Sequence, residues 1–262
     1  CLDSINYCLD LHAGANLISF YGFPEDSSIT NIMLSIEGIA TGVIGESVAA
    51  NYSETDGWLG SLNTLSPISG YWVIMNDVSE LCIKDAIPTN PTIEYNLNVG
   101  ANLISFPVEG SIEISAGLPD AIEGSISGLI GEGVAANNDG WGWTGSLALF
   151  TGESGYWVMA TEDISFSFEL SLLNRLKSTK PRGLTFPEGF ESYQSTQQAF
   201  YFINEIKSES MDELNDGWIM VYNGSTLIGT QQWTGEMIDV PVMGNDGNSY
   251  SEGYLYTGEI PQ

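Results

Sequence analysis

The sequence predicts a β-rich α+β protein, with two tandem, homologous small α+β modules followed by a β-sandwich domain. Three observations predict it. A seven-residue stretch, Gly14 to Phe20, recurs as Gly100 to Phe106, and further blocks recur behind it in the same order. Short apolar runs bounded by Gly, Asn-Gly and Asp-Gly turns punctuate the whole chain, as strands do. Helical spacing is confined to one short segment in each repeat.

The repeat extends well past its first block. Gly42-Val43-Ile44-Gly45-Glu46 returns as Gly128-Leu129-Ile130-Gly131-Glu132, and Val48-Ala49-Ala50-Asn51 as Val134-Ala135-Ala136-Asn137. Trp58 to Leu62 matches Trp143 to Leu147, and Ser69-Gly70-Tyr71-Trp72-Val73 matches Ser154-Gly155-Tyr156-Trp157-Val158. One residue is lost between the earlier and later blocks. The chain divides accordingly into module one (1–88), module two (89–170), a basic linker (171–191) and a third domain (192–262).

In module one, Ala15 to Phe20 reads as a strand entered through a Gly turn. Ser27 or Ser28 caps a helix whose Ile29, Ile32, Met33 and Ile36 share one face, and Gly38 stops it. Thr41 to Tyr52 is strand-like, Asp56-Gly57 a turn, and Trp58 to Leu65 short and irregular. Tyr71 to Met75 and Glu80 to Ile83 are buried strands. Pro88 and Pro91 mark the joint. Module two repeats the order, with its helical segment interrupted by Gly117 and Pro119, and ends on the alternating strand Ile164 to Phe168. In the third domain Phe200–Ile203, Trp218–Tyr222 and Thr226–Gly229 are strands separated by turn signals. Asp239 to Met243 and Tyr254 to Tyr256 follow.

The charge balance is extreme: 34 acidic against 6 basic residues, a net charge of −28. Such a surface repels phosphates and anionic lipid, so neither nucleic acid nor membrane insertion is expected. No apolar run approaches the roughly 20 residues that span a bilayer. Four of the six basic residues, Arg175, Lys177, Lys180 and Arg182, fall in the linker. They read as a solvated connector, or as a strip for docking an acidic neighbour.

Chemistry-bearing residue types are sparse. The single His, His12, stands just ahead of the first repeated block and reads as a turn residue. There is no nucleophile elbow, zinc pattern, phosphate loop or dinucleotide fingerprint, and no enzyme is expected. Three Cys, Cys1, Cys8 and Cys82, all fall in module one. Cys8–Cys82 would tie the ends of that module together, and Cys1–Cys8 is the competing pair. Either bridge points outside the cytosol, while three free thiols would not. Cys1 reads as a lipid-bearing terminus or as the start of a fragment. Calcium is the one expected cofactor, held by loop oxygens at Asp139, at Asp216, or at Asn245, Asp246 and Asn248 with Glu252. The same Asn-Asp-Gly segments also read as plain tight turns. Trp58, Trp141 and Trp143, in Gly-rich loops, are candidate platforms for sugars or packing surfaces for the next module.

The blocks just quoted resemble a repeated module of large secreted cell-surface proteins of marine and environmental bacteria. Ser195 to Phe202, with Gln231-Gln232-Trp233, Asp239 to Gly244 and Glu259-Ile260-Pro261, resembles a β-rich domain of similar proteins, many of them exported by type IX-like secretion. In those look-alikes the third domain continues past the Glu-Ile-Pro element into another strand. This implies either that the chain is trimmed at Gln262 or that a neighbour supplies the strand. The resemblance carries no catalytic residues. The expected function is a non-enzymatic extracellular structural or adhesion protein, a subunit of a surface filament, sheath or stalk, that self-associates or binds other surface proteins. The alternative is a calcium-assisted carbohydrate-binding or adhesion module of a larger secreted protein.

Overall fold

A computed structural model describes residues 3–174, 186–207 and 216–261. The protein is strand-rich, with several antiparallel sheets and only single turns of helix. Residues 14–75 form a five-stranded sheet in the order Gly14–Ile18, Tyr71–Met75, Ala40–Gly45, Val48–Ser53, Gly57–Gly60. Residues 100–160 form a second in the matching order Gly100–Ile104, Tyr156–Ala160, Ile126–Ile130, Ala135–Asn138, Trp143–Gly145. The registers match as well. Leu17 lies opposite Trp72, and Leu103 opposite Trp157. Both sheets carry a register shift at the same point, between Ala40 and Gly42 and between Ile126 and Gly128.

Glycine explains one shared corner. Gly60 and Gly145 adopt φ of 156° and 134°. A Cβ there would sit 2.1 Å from Ala49 O and 2.2 Å from Ala135 O, distances no side chain tolerates.

Each sheet has one face in its own core. In module one that core joins Phe20, Ile29, Ile32, Met33, Ile36, Val43, Tyr71 and Val73 to Leu9 and Leu81 of a small second sheet. The strands of that sheet, Ile5–Leu11 and Ser79–Pro88, are bridged by Cys8–Cys82, directly opposite in register. Cys1 lies outside the described residues. In module two, Tyr95–Leu97 pairs with Ile164–Phe166, and Tyr95, Phe106, Phe150, Tyr156, Phe166 and Phe168 form an aromatic cluster with ring centroids 5.0–6.0 Å apart.

Several elements differ from expectation. The expected helix is one α turn, Ile29–Ile32, capped by Ser28 and continued as a 3-10 turn, Leu34–Ile36. Its apolar face is buried as the spacing requires, but there are too few residues before Gly38 for more. Gly117 and Pro119 split the second helical segment into Ile114–Gly117 and Asp120–Glu123. The Thr41–Tyr52 segment is a hairpin, turned at Glu46-Ser47 with Ser47 at φ 62°. Trp58, expected in an irregular stretch, lies in the Gly57–Gly60 strand.

The third domain contains two antiparallel pairs, Gln198–Ile203 with Ile238–Met243 and Gly217–Asn223 with Thr226–Trp233, over a small core of Ile228, Val242, Met243, Tyr254 and Leu255. Tyr254 to Tyr256 is not a strand; Leu255 makes a single bridge to Gly244. The basic residues of the linker lie outside the described residues.

Candidate functional site: a reciprocal interface and a third-domain cradle

The repeated blocks converge on one place, the contact between the two sheets. Along Gly14–Phe20 each residue has an identifiable task. Gly14 takes φ 94°, as Gly100 takes 104°. Asn16 Oδ1 accepts the His12 N–H (2.9 Å) and its amide donates to His12 O (2.8 Å), clamping the turn; Asn102 does the same with Asn98 (2.9 and 2.7 Å). Leu17 and Leu103 enter a shared inter-sheet cluster with Ala15, Trp72 and Ile74, against which half-buried Trp157 packs. Ile18 and Phe20 point the other way, into their own core, as strand alternation requires.

The polar contacts across the interface are reciprocal. Leu17 N–H donates to the Glu132 carboxylate (2.6 Å), and Leu103 N–H to Glu46 (2.8 Å). Gly155 N–H donates to Leu17 O and Gly70 N–H to Leu103 O, both at 3.2 Å. The Ser19 N–H donates to Glu153 O (3.0 Å) and the Ser105 N–H to Ile68 O (3.2 Å); their hydroxyls also cross the interface, but to non-equivalent carbonyls, Ser154 O and Pro67 O, both at 2.7 Å. Gly70 and Gly155 face each other at the centre. A Cβ on Gly70 would stand 2.9 Å from Ile104 O, and one on Gly155 2.7 Å from Ile18 O. Contacts in which i meets j and the counterpart of j meets the counterpart of i define an approximate two-fold axis. Such backbone N–H groups at a sheet edge need acceptors once buried, and the retained Glu of each repeat supplies one.

His12 belongs to this interface. Its Nδ1 lies 2.8 Å from Ala13 O and its Nε2 2.7 Å from Glu132. A carbonyl and a carboxylate both accept, so the imidazolium, which donates from both nitrogens, fits both neighbours.

The third domain sits in a cradle formed by both modules. Ala15 N–H donates to Gln194 O (3.2 Å), and Tyr250 packs on the inter-sheet cluster. Fully buried Asp239 accepts the N–H of Ala135 (3.1 Å), the hydroxyl of Ser146 (2.8 Å) and the N–H of Ser146. Burial pushes the Asp239 carboxyl above its usual range, against the pull of those donors. Sequence reasoning singles out neither Asp239 nor the two glutamates as contacts. For Glu46 and Glu132 the signal is present in the repeat itself; Asp239 has none.

The expected site residues are scattered. Asp246 lies at the centre of its loop. One of its oxygens accepts from Asn248 (N and Nδ2, 3.1 Å each) and Ser251 Oγ (2.8 Å), the other from Tyr250 Oη (2.6 Å) and Thr196 N (3.1 Å). Burial raises this carboxyl, but the donors outweigh it and hold it at about 2. Asn245 Oδ1 accepts Gly247 N–H, a tight-turn contact, and Glu252 is exposed. Asp139 accepts Trp141 N–H (2.9 Å), and Asp216 is exposed and far along the chain from both. Trp58 packs on the core of module one against Tyr52, and Trp143 packs on the core of module two and donates to Glu123. Trp141 alone of the three is open, at 96% exposure. An open pocket of about 240 Å³ between Phe23, Leu65, Ile87 and Ile93 has no carboxylate, imidazole or thiol in its lining.

No protein-family model matches this chain, and neither a curated protein nor a solved structure shows detectable similarity to it.

Proposed function

We propose that this is an extracellular, non-enzymatic structural or adhesion protein, a subunit of a surface filament, sheath or stalk of the kind that the sequence resembles. One observation carries the reading. Among the residues kept in both copies, Leu17, Ser19, Glu46, Gly70 and their counterparts are used in holding two sheets together. Its single histidine is used there too. The Cys8–Cys82 bridge suits an oxidising setting. No helix among the described residues is long and apolar enough to cross a membrane.

Electron microscopy of the oxidised chain at high concentration, with and without calcium, tests this: extended or ordered assemblies are expected, and particles that remain single would overturn the filament form. A second reading, calcium-assisted glycan binding, is favoured by the exposed Trp141 ring on the Asn138–Trp143 loop, with Asp139 beside it. A glycan array probed with and without calcium should then give hits that Trp141→Ala abolishes; an array without hits removes that reading.

A further inference from the structure

The single histidine lies where the two modules and the third domain meet. His12 precedes the Gly14–Ile18 strand, and Glu132 lies in the turn between Ile126–Ile130 and Ala135–Asn138. Their side chains meet at 2.7 Å, with 28% of the His12 side chain and 8% of the Glu132 side chain exposed. The Glu132 carboxylate also accepts Leu17 N–H at 2.6 Å. Residues 193–198 of the third domain sit against the neighbours of both partners. On the His12 side, Gln194 O accepts Ala15 N–H at 3.2 Å, and the Tyr193 ring lies 3.6 Å from where a Cβ on Gly14 would stand. On the Glu132 side, Gln198 Nε2 donates to Gly131 O at 3.3 Å, and Gln194 Nε2 lies 2.7 Å from a Cβ placed on Gly133. The pair therefore ties together the two surfaces that receive this entry segment. The Oε1 atoms of Gln194 and Gln198 are buried without a hydrogen-bond partner, so the segment is seated at a cost.

One proton holds this arrangement. His12 Nδ1 faces Ala13 O and Nε2 faces Glu132, so each ring nitrogen meets an acceptor. The imidazolium donates to both, whereas a neutral ring donates to one and turns a lone pair on the other. Ring and carboxylate titrate together, so the proton belongs to the pair. The surrounding groups favour keeping it. Asp10 stands on the strand that leads to His12, and Asp77 on the turn that the Leu11–Ser79 and Gly14–Met75 pairings place beside residues 12–13. Both are exposed carboxylates, whose negative charge favours the charged ring. The third domain adds the phenol of Tyr193 and, behind it, Tyr250 hydrogen-bonded to Asp246. The other repeat lacks the device: Asn98 stands in place of His12, and Glu46 accepts Leu103 N–H.

We propose that the His12–Glu132 pair is a proton-operated latch, which seats residues 193–198 of the third domain on the two modules and releases them when the pair gives up its proton to solvent. With the proton gone, a lone pair of the ring faces either Ala13 O or the Glu132 carboxylate, and ring and carboxylate part. Gly14–Ala15 and Gly131–Gly133 then lose the tie that keeps them aligned for Gln194 and Gln198. A histidine held charged by acceptors in the fold contributes stability that is full below its unfolded value of about 6.5 and is lost as pH rises through the higher folded value. The latch is closed at neutral pH and opens in alkali; at the acid end it lasts until Glu132 itself takes up a proton. Asp239, held by Ala135 and Ser146 elsewhere in the cradle, keeps the domain attached while the entry segment opens. The device is intramolecular and does not depend on whether the chain assembles.

The test is NMR of the oxidised, isotope-labelled full chain from about pH 5 to about pH 10. One histidine gives one ring signal, and its midpoint is expected above the ordinary value of about 6.5. Through that midpoint the nuclear Overhauser contact between Gly14 and the Tyr193 ring should fall at least about twofold, the loss that accompanies a half-open population. The Leu103 amide, in the repeat without a histidine, should not move through the same midpoint. His12→Asn installs the residue found at position 98, where Asn102 clamps the same turn, so the fold is kept. In that variant the Gly14–Tyr193 contact should be flat with pH. A ring that titrates at or below the ordinary value overturns the proposal, as does a raised midpoint across which the contact holds. A step that persists in His12→Asn assigns the release to another group and overturns it as well.

Discussion

The two modules solve the same problem with different chemistry on their outer side and the same chemistry on their inner side. Where they face each other, the Glu and Gly of the repeat are retained, and their backbone contacts are made twice. Where they face away, they diverge. Leu9 and Leu81 of the first module correspond to Tyr95 and Phe166 of the second, and the disulfide pair Cys8 and Cys82 to Glu94 and Ser167. One module is stapled covalently, the other by stacked and edge-on rings. A core can be refilled with any side chains of suitable volume. An interface built on backbone approach at Gly70 and Gly155 and on buried N–H groups has few substitutes. That difference in tolerance accounts for the retained Glu and Gly of the interface, while the equally retained Ile18, Phe20, Tyr71 and Val73 fill the core behind it.

The largest expected effect breaks the covalent staple. Cys82→Ser, or reduction, releases a cross-link between residues 74 apart, worth about 4 kcal/mol through the unfolded chain. Denaturant unfolding should show it, and amides of the Ile5–Leu11 strand should lose more protection than those of Tyr95–Leu97; equal losses would contradict the division of labour. Next comes Gly155→Val, which drives a side chain into Ile18 O and should cost about 3 kcal/mol. Gly124→Ala, with open space around it and ordinary φ, should stay within about 0.5 kcal/mol. Asp239→Ala should cost about 2 kcal/mol by leaving the Ala135 and Ser146 amides without their acceptor, while Ser61→Ala, at the exposed residue that matches Ser146 in the first repeat, should cost well under 1 kcal/mol. Hydrogen exchange at Ala135 against Ala49 separates the two.

The smallest effect is a pH dependence confined to the third domain. The Asp246 carboxyl titrates near 2 in the folded chain against an ordinary 3.8, so the folded state binds the proton less tightly than the unfolded state. Its stabilising contribution is full above the ordinary value and lost as pH falls from about 4 to about 2. Asp239, shifted upward, works in the opposite direction: the folded state is relatively favoured where it is protonated. Asp246→Asn should flatten the acid limb of third-domain unfolding; an unchanged limb would assign it elsewhere.

Much of the scaffold is legible in the sequence because it is local. An unbroken apolar run marks Tyr71–Met75, period-two alternation marks Ile164–Phe166, and Ser28 marks the start of the Ile29–Ile32 turn. The strand-rich class follows from such signals. The inter-sheet contact is only half legible. A doubled Glu or Gly announces that something holds it in place, yet spacing alone does not say that Glu132 reaches Leu17 rather than solvent. Trp58 and Trp143 mislead for a related reason. Gly-rich surroundings suggest exposure, but those glycines serve the tight Gly60 and Gly145 corners, and the rings turn inward. Asp239 is illegible: its donors come from residues about a hundred positions away.

The central claim is that the repeated blocks exist to join the two sheets. Native-state hydrogen exchange of Leu17 and Leu103 tests it most directly. Both amides should exchange only through global unfolding, Glu132→Ala should release Leu17 alone, and Glu46→Ala should release Leu103 alone. Exchange of both amides in the unmodified chain at the rate of an open sheet edge, indifferent to either substitution, would contradict it.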